Sequence, residues 1–198
     1  GTLHAVDRAW NGGPAIAGSV VNFDGRSEWR VANRQLDIES FLRGDGTFIF
    51  HQPGIFLHTA AVRSLGIPRK LQFCFDLYLI LRYAEAIGSP RYLDKTLVRF
   101  RLHPNSKTVS NDMAFRAERI DVLKLLREAP EMTAYKESLA AEIDRRETEL
   151  EIDHILARAR PEQLAALMQL ARQRPGAWRS RYWLGALRRA FAGIIKSI

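Results

Sequence analysis

Apolar and polar positions follow two different patterns along this chain, and the pattern changes near residue 110. Before that point, short apolar runs are separated by turn signals. Residues 16–23, 29–31 and 47–50 have strand character, and Asp24-Gly25 between the first two is a strong hairpin signal. After residue 110, apolar positions recur at helical spacing in segments separated by prolines: 112–128, 131–160, 161–174 and 178–198. The pattern predicts an α/β region followed by an all-α extension.

The most clearly bounded helix is predicted over 77–87. Asp76 stands where an N-cap is expected, and Gly88 follows the last helical position. A strand is then predicted over 97–103, with Val98, Phe100 and Leu102 on one face and Arg99, Arg101 and His103 on the other. Pro104 disfavours helical geometry at His103 and keeps that residue extended. A carboxylate therefore begins a helix shortly before a strand with a basic face.

Composition is ordinary for a globular protein, but the positive charge is concentrated at one end. The formal net charge is +8, and residues 171–198 hold seven basic residues and no acid. The single cysteine, Cys74, excludes a disulfide framework within the chain and fits a reducing compartment. No apolar run approaches the ~20 residues of a membrane span. We predict a cytoplasmic location, with peripheral attachment at the inner face of the plasma membrane.

Asp76 is the first candidate for chemistry. A carboxylate can accept a proton from an attacking hydroxyl, and a helix N-terminus favours its ionised form. A helix cap is the simpler interpretation of the same residue, and the two roles are compatible. His103 is a candidate ligand for a Mn²⁺-like ion, and Arg99 and Arg101 suit a diphosphate. A basic face that blocks pairing of an edge strand is the alternative for all three.

The segment 74–108 resembles the acceptor end of the inverting, family-two glycosyltransferases of the GT-A fold. In those enzymes an aspartate at the head of such a helix takes the proton of the acceptor hydroxyl. A histidine that closes a strand of the type RxR/YRxH helps to hold the metal that carries the nucleotide diphosphate. Two positions depart from the family pattern, because Phe75 and Tyr78 stand where acidic residues are frequent.

The resemblance covers roughly residues 1–108 and implies a partial GT-A fold with a mixed sheet. It implies Asp76 as the catalytic base, His103 as a ligand of Mn²⁺ or Mg²⁺, and Arg99 and Arg101 near the diphosphate. The loop His51-Gln52-Pro53 aligns with a family segment that leads into an acceptor-facing strand, so His51 and Gln52 are expected to contact the acceptor. A plain structural loop is the alternative there.

The donor-binding part of the family pattern is missing. The chain contains no DxD motif, and Asp37-Ile38-Glu39 is better interpreted as a helix cap. Residues 1–6 look like the stretch that follows the family's "DD…P" segment, so we expect the chain to begin just after the donor-binding half and to be inactive alone. The expected domains are 1–110 (acceptor-side half), 111–174 (helical extension) and 175–198 (basic tail helix).

The tail supports a second class of function. Its apolar positions (Trp183, Leu184, Leu187, Phe191, Ile194, Ile195 and Ile198) share one helical face, and its bases lie away from that face. A helix of this kind over 178–198 suits an anionic membrane surface, although an ordinary amphipathic helix packed on the body explains it equally well. Nucleic-acid binding is not expected, because the rest of the chain is nearly neutral.

The leading hypothesis is a fragment of a glycosyltransferase. It would move a sugar from a nucleotide-sugar donor to a polysaccharide or lipid-linked acceptor, with inversion. The alternative is a non-catalytic helical adaptor at a membrane surface.

Overall fold

The computed structural model describes residues 1–103 and 112–195, without the side chains of residues 112, 161 and 193–195. The chain forms two compact units, Gly1–Leu139 and Ala140–Ile198. The fold is α/β, with a small mixed sheet in the first unit and helices after it, as predicted. The division between the units does not coincide with the predicted domain boundaries after residues 110 and 174.

The first unit begins with helix α1 (Thr2–Ala9) and the hairpin of β1 (Ala15–Phe23) and β2 (Glu28–Ala32). The predicted turn at Asp24-Gly25 joins the two strands, and Asp24 Oδ1 accepts hydrogen bonds from the N–H groups of Arg26 and Ser27 at 2.8 Å. The remaining elements follow in chain order: α2 (Ile38–Arg43), a 3₁₀ turn (Gln52–Gly54), β3 (Ile55–Leu57), α3 (Thr59–Leu65), α4 (Phe75–Ala86), β4 (Arg91–Arg101), α5 (Asp112–Glu128) and a 3₁₀ segment (Pro130–Tyr135).

Strand β1 is the centre of the sheet. It pairs antiparallel with β3 through residues 15–17 and with β2 through residues 19–23, and it pairs parallel with β4. Because both parts of β1 also pair with β4, β2 and β3 follow one edge of β1 and β4 follows the other. The parallel strands β1 and β4 end together at Phe23 and Arg101, which are partners in the register.

The β1–β4 ladder is irregular where the two strands approach most closely. The register shifts on both sides of Ser19, so that β4 carries extra residues opposite β1. A Cβ atom on Gly18 would lie 2.6 Å from the Cγ of Leu97 and 3.0 Å from the carbonyl oxygen of Lys95. Leu97 is buried. A glycine at position 18 is therefore what lets the Leu97 side chain pack on β1.

Several predicted elements differ from the structure. Residues 130–135 form a 3₁₀ segment where the pattern predicted the beginning of a helix over 131–160. The strand expected over 47–50 is only a single bridge between Ile49 and Arg34, and the strand expected over 97–103 is the longer β4, which ends at Arg101. Helix α4 begins at Phe75, two residues before the predicted start. Two other local signals were correct. Asp37 caps α2 by accepting a hydrogen bond from Ser40 N–H at 2.8 Å, and Gly88 follows the end of α4.

The second unit is helical. It contains most of α6 (Lys136–Leu156), α7 (Arg160–Gln173), a 3₁₀ turn (Ala177–Arg179) and α8 (Arg181–Ile195). Its core joins side chains from three helices and the 3₁₀ turn: Ile152, Ile155, Leu167, Leu170, Ala177, Trp183, Ala186 and Ala190. Among the helices of the described residues, none has the length and apolarity needed to cross a bilayer.

The close approach of Gly18 and Leu97 predicts a coupled pair of substitutions. Gly18→Ala should lower the free energy of unfolding by about 1–3 kcal/mol, because the new methyl group overlaps Leu97. Leu97→Ala alone should cost about 2–5 kcal/mol, because a buried leucine is lost. The double variant should lose less than the sum of the two, by about 0.5–3 kcal/mol. Chemical denaturation of the four proteins measures this coupling.

Strictly additive losses would show that Gly18 does not make room for Leu97. Gly176→Ala is the control for adding a methyl group to a glycine, because a Cβ there meets no atom within 4 Å.

Candidate active site

Asp76 lies in the first turn of α4, two positions after the N-cap, which is the position that the sequence predicted for it. The N-cap is Cys74, whose side chain makes no capping hydrogen bond. Asp76 Oδ1 instead accepts a hydrogen bond from the N–H of Leu77 at 2.8 Å. The prediction of Asp76 as the N-cap is wrong, but the carboxylate does stand at the helix N-terminus.

The N–H groups that precede α4 are satisfied by a carboxylate from another helix. Glu118, on α5, accepts hydrogen bonds from the backbone N–H groups of Gln72 (2.8 Å to Oε2), Phe73 (2.6 Å) and Cys74 (2.6 Å). The Phe73 ring also packs on Phe115 of α5, with the ring centroids 5.0 Å apart. Glu118 thereby fixes the segment that leads into α4, while within the first turn of the helix the N–H of Leu77 bonds to Asp76.

The electrostatic surroundings of Asp76 favour its protonated form. Burial raises the pKa of the Asp76 carboxyl from its ordinary value, the hydrogen bond from Leu77 N–H opposes this, and the nearby charge of Glu118 raises the pKa further. The net direction is upward. A carboxylate with a raised pKa is a stronger base than an exposed one, so this environment suits proton uptake.

Cys74, beside Asp76 in the sequence, is held as a neutral thiol. Its Sγ lies 3.7 Å from the carbonyl oxygen of Phe115. Burial, followed by the charges of Glu118 and Asp76, raises the pKa of this thiol to about 12. Cys74 is therefore suited to packing and unsuited to nucleophilic chemistry.

Helix α4 is also held by side chains beyond its first turn. Arg82 forms an ion pair with Glu131, and both side chains are only 16% exposed. The same guanidinium donates to the hydroxyl of Tyr78 at 2.9 Å and to the carbonyl of Leu65 at 3.0 Å. Near the other end of α4, the Tyr83 hydroxyl donates to the Pro14 carbonyl just before β1. The helix that carries Asp76 is thus held at several points along its length.

The register of the sheet divides the other candidate residues between its two faces. Residues that pair directly project from the same face. Phe23 pairs with Glu28 and with Arg101, and Val21 pairs with Arg99, so these side chains share what we call the arginine face. Asn22 pairs with Trp29 and with Phe100 on the opposite face, which we call the histidine face because His51 contacts it.

Arg99 on the arginine face is already engaged. Its guanidinium forms an ion pair with Glu28 and stacks over the Phe23 ring, 5.2 Å from the centroid. Both charged side chains are more than half exposed, so the pair contributes little to stability and can be exchanged for another anion. Arg101 is exposed at the end of the same strand. The predicted alternation in β4 is confirmed, since residues 98, 100 and 102 are half-buried and 99, 101 and 103 are exposed.

His51 is fixed on the histidine face by a network of amides. Its Nε2 lies 2.7 Å from Asn22 Oδ1, and its ring packs edge-on against Phe100. Asn33 holds the backbone of the same residue, since its Oδ1 accepts from His51 N–H at 2.6 Å and its Nδ2 donates to His51 O at 3.2 Å. Because an amide oxygen only accepts, Nε2 carries the ring proton and Nδ1 is left as an acceptor. Burial lowers the pKa of His51, which favours this neutral ring.

The turn after His51 lies directly against the central strand. A Cβ atom on Gly54 would lie 2.7 Å from the Gly18 carbonyl oxygen and 2.8 Å from Asn33 Nδ2. Only a glycine permits this approach, which fixes the distance between β1 and the turn that follows His51. Gln52, the other predicted acceptor residue, is the first residue of the 3₁₀ turn and is exposed.

His103 lies two residues beyond the end of β4, where it is exposed. Its neighbour Leu102 continues the parallel ladder by donating its N–H to Phe23 O at 2.8 Å. Within residues 1–103 and 112–195, no three histidine, cysteine or acidic side chains come together as a metal site. By themselves, the described residues do not form a metal centre.

The structure brings some candidates together and separates others. His51, Arg99 and Arg101 all lie near the shared carboxyl ends of β1 and β4, but on opposite faces of the sheet. In the described part of the chain, no hydrogen bond or ion pair joins Asp76 to any of them. Sequence reasoning missed Asn22, Asn33 and Glu118. A polar residue in the apolar strand 15–23 was a signal for Asn22, whereas nothing local indicated the other two.

Comparison of the chain with protein-family models, with curated proteins and with solved structures returned no match.

The contacts of Glu118 predict a stability effect. Glu118→Ala should lower the free energy of unfolding by about 2–3 kcal/mol, because it leaves the N–H groups of Phe73 and Cys74 unsatisfied in half-buried positions. Glu118→Gln keeps an acceptor oxygen and should lose only about 1 kcal/mol. Urea denaturation measures both. Asp121→Ala, an exposed change on the same helix, is the control and should stay within about 0.5 kcal/mol.

The raised pKa of Asp76 predicts a pH-dependent effect of Asp76→Asn. A carboxyl with a higher pKa in the folded than in the unfolded protein costs stability once it ionises, so its contribution is lost as pH rises through the folded value. The variant should therefore gain stability relative to wild type between the ordinary value of 3.8 and neutral pH. Denaturation at several pH values tests this, with Asp121→Asn as the matched loss of one charge. A difference that is the same at every pH would contradict the burial of this carboxylate.

Proposed function

We propose that this chain is the acceptor-side part of an inverting glycosyltransferase, with Asp76 as the general base. The observation that carries the proposal is the state of the Asp76 carboxylate. It is half-buried in the first turn of a firmly held helix, its Oδ1 accepts a hydrogen bond from Leu77 N–H, and its pKa is raised. These are the properties that a base needs in order to take a hydroxyl proton near neutral pH.

Proton uptake is the only chemical role that this reaction requires of Asp76. As the acceptor oxygen attacks the anomeric carbon, its proton passes to Asp76 and the nucleotide diphosphate leaves from the opposite side of the sugar, which accounts for inversion. Helix α4 orients the carboxylate through Leu77 N–H and through the Glu118 contacts before it. Apolar neighbours such as Leu77 limit the access of water, which would otherwise compete with the acceptor.

His51 is the better of the two proposed acceptor contacts. Its ring is held by Asn22 and Phe100, and its Nδ1 is an acceptor to which a sugar hydroxyl could donate. The exposed Gln52 has no comparable support. Gln52 is therefore proposed only as a residue at the margin of the acceptor site.

Arg101 is the better of the two proposed diphosphate contacts. It is exposed at the carboxyl end of β4, and ligands in parallel sheets bind outside such ends. Arg99 would first have to leave Glu28. The nucleotide sugar, the Mn²⁺ or Mg²⁺ ion and the contribution of His103 remain part of the proposal, and they depend on donor-binding residues that carry a DxD motif, which this sequence does not contain.

The proposal predicts that Asp76→Asn, in a protein that joins this chain to a donor-binding half, abolishes sugar transfer and leaves donor affinity unchanged. The amide cannot accept the proton, so the rate should fall on the order of 10²-fold or more. The chain alone should not transfer sugar. Release of nucleotide diphosphate measures turnover, and equilibrium binding of the nucleotide sugar measures the donor site.

Asp121→Asn is the matched control and should keep the wild-type rate. Turnover of Asp76→Asn at the wild-type rate would end the assignment of the base. A parallel loss of donor binding would instead mean that Asp76 has a structural role.

A further inference from the structure

The last helix of the second unit has two faces, and the structure divides its apolar residues between them. Trp183, Ala186 and Ala190 are buried in the helical core, and Leu187 packs partly against it. Leu184 and Phe191, on the other side, are 44% and 48% exposed. The sequence predicted a single apolar face on this helix. In the structure, one part of that face is buried in the core and the other part is exposed.

The inward half of α8 is structural. The indole N–H of Trp183 points to the Leu167 carbonyl at 3.4 Å, and the Tyr182 hydroxyl donates to Asp153 Oδ1 at 2.5 Å. Removal of the whole tail would therefore expose the core of the second unit. Only substitutions on the outward half can test what that half binds.

The outward half combines apolar side chains with unneutralised positive charge. Arg181 and Arg188 are exposed on it, and they stand one turn before Leu184 and Phe191, respectively. In the 3₁₀ turn before the helix, Arg179 lies over the half-exposed Trp178, 5.0 Å from the ring centroid. Among the described residues, none of these three arginines forms an ion pair, whereas Arg174 is surrounded by Asp144, Glu147 and Glu151.

We propose that this outward surface, formed by Trp178, Arg179, Arg181, Leu184, Arg188 and Phe191, docks on an anionic lipid bilayer. Apolar side chains would enter the boundary between headgroups and acyl chains while the arginines pair with lipid phosphates. Charge complementarity selects this occupant, because residues 171–198 carry no acid and the rest of the chain is nearly neutral. The proposal is independent of the glycosyltransferase assignment, since vesicle binding requires no catalysis.

The test is sedimentation of the full chain with vesicles. Vesicles of phosphatidylcholine with about one third phosphatidylglycerol should bind the protein, and pure phosphatidylcholine should bind it weakly. Binding should weaken as salt rises from about 0.1 M to about 1 M, where the Debye length falls to about 3 Å. Arg181→Glu with Arg188→Glu should lower the partition coefficient on the order of 25-fold or more, since each base near the surface contributes about fivefold.

The apolar part is tested separately. Leu184→Ser with Phe191→Ser should reduce binding on the order of tenfold. Met168→Ser is its control, because Met168 is a similarly exposed apolar residue on α7. Arg63→Glu with Arg69→Glu, in the first unit, changes the net charge by the same amount and should leave binding within about twofold, because these residues do not belong to the outward surface. All of these positions are exposed, so unchanged thermal unfolding is expected.

Three results would overturn the proposal. The first is equal vesicle binding by the wild type and by both double variants of the outward surface. The second is self-association without vesicles that Leu184→Ser with Phe191→Ser removes, because the occupant would then be a second copy of the chain. The third is tighter binding to an oligonucleotide than to anionic vesicles, with the same arginines required.

Discussion

Strand β1 is the constraint on which the first unit depends. Each of the other described strands pairs only with β1, so all of the strand pairing in this sheet depends on β1. Two close approaches converge on Gly18, from Leu97 on one side and from the turn at Gly54 on the other. A larger residue at position 18 would disturb the bulged parallel ladder, and a larger residue at position 54 would disturb the turn that follows His51. Two glycines thereby set how closely both edges of the candidate site approach β1.

Local signals predicted the elements that local forces determine. The hairpin at Asp24 and the cap at Asp37 each depend on a side chain that bonds to backbone groups two or three residues away, and both were identified. The start of α4 was misplaced because the segment before the helix is fixed by Glu118, more than forty residues further on. A strand signal at 47–50 likewise failed, since a strand needs a partner and only Ile49 has one.

The candidate site shows the same limit. Alternation within 97–103 gave the correct exposed face for the two arginines. It could not reveal that His51 lies on the opposite face, because that follows from the register of three strands and from the amides of Asn22 and Asn33. Asp76 was located correctly at the beginning of a helix, while burial, the main cause of its raised pKa, is a tertiary property that the sequence did not reveal. Sequence identified the chemical groups, and tertiary contacts decide which of them can work together.

The reactivity of the Cys74 thiol can report on the packing at the beginning of α4. With a pKa of about 12, the thiolate fraction at pH 8 is on the order of 10⁻⁴, so alkylating reagents should react with the folded chain very slowly. Reaction requires the segment before α4 to separate from Glu118 and Phe115, which restores an ordinary thiol. The rate of labelling therefore reports how often the helix that carries Asp76 comes away from α5, in a chain whose single cysteine makes the signal unambiguous.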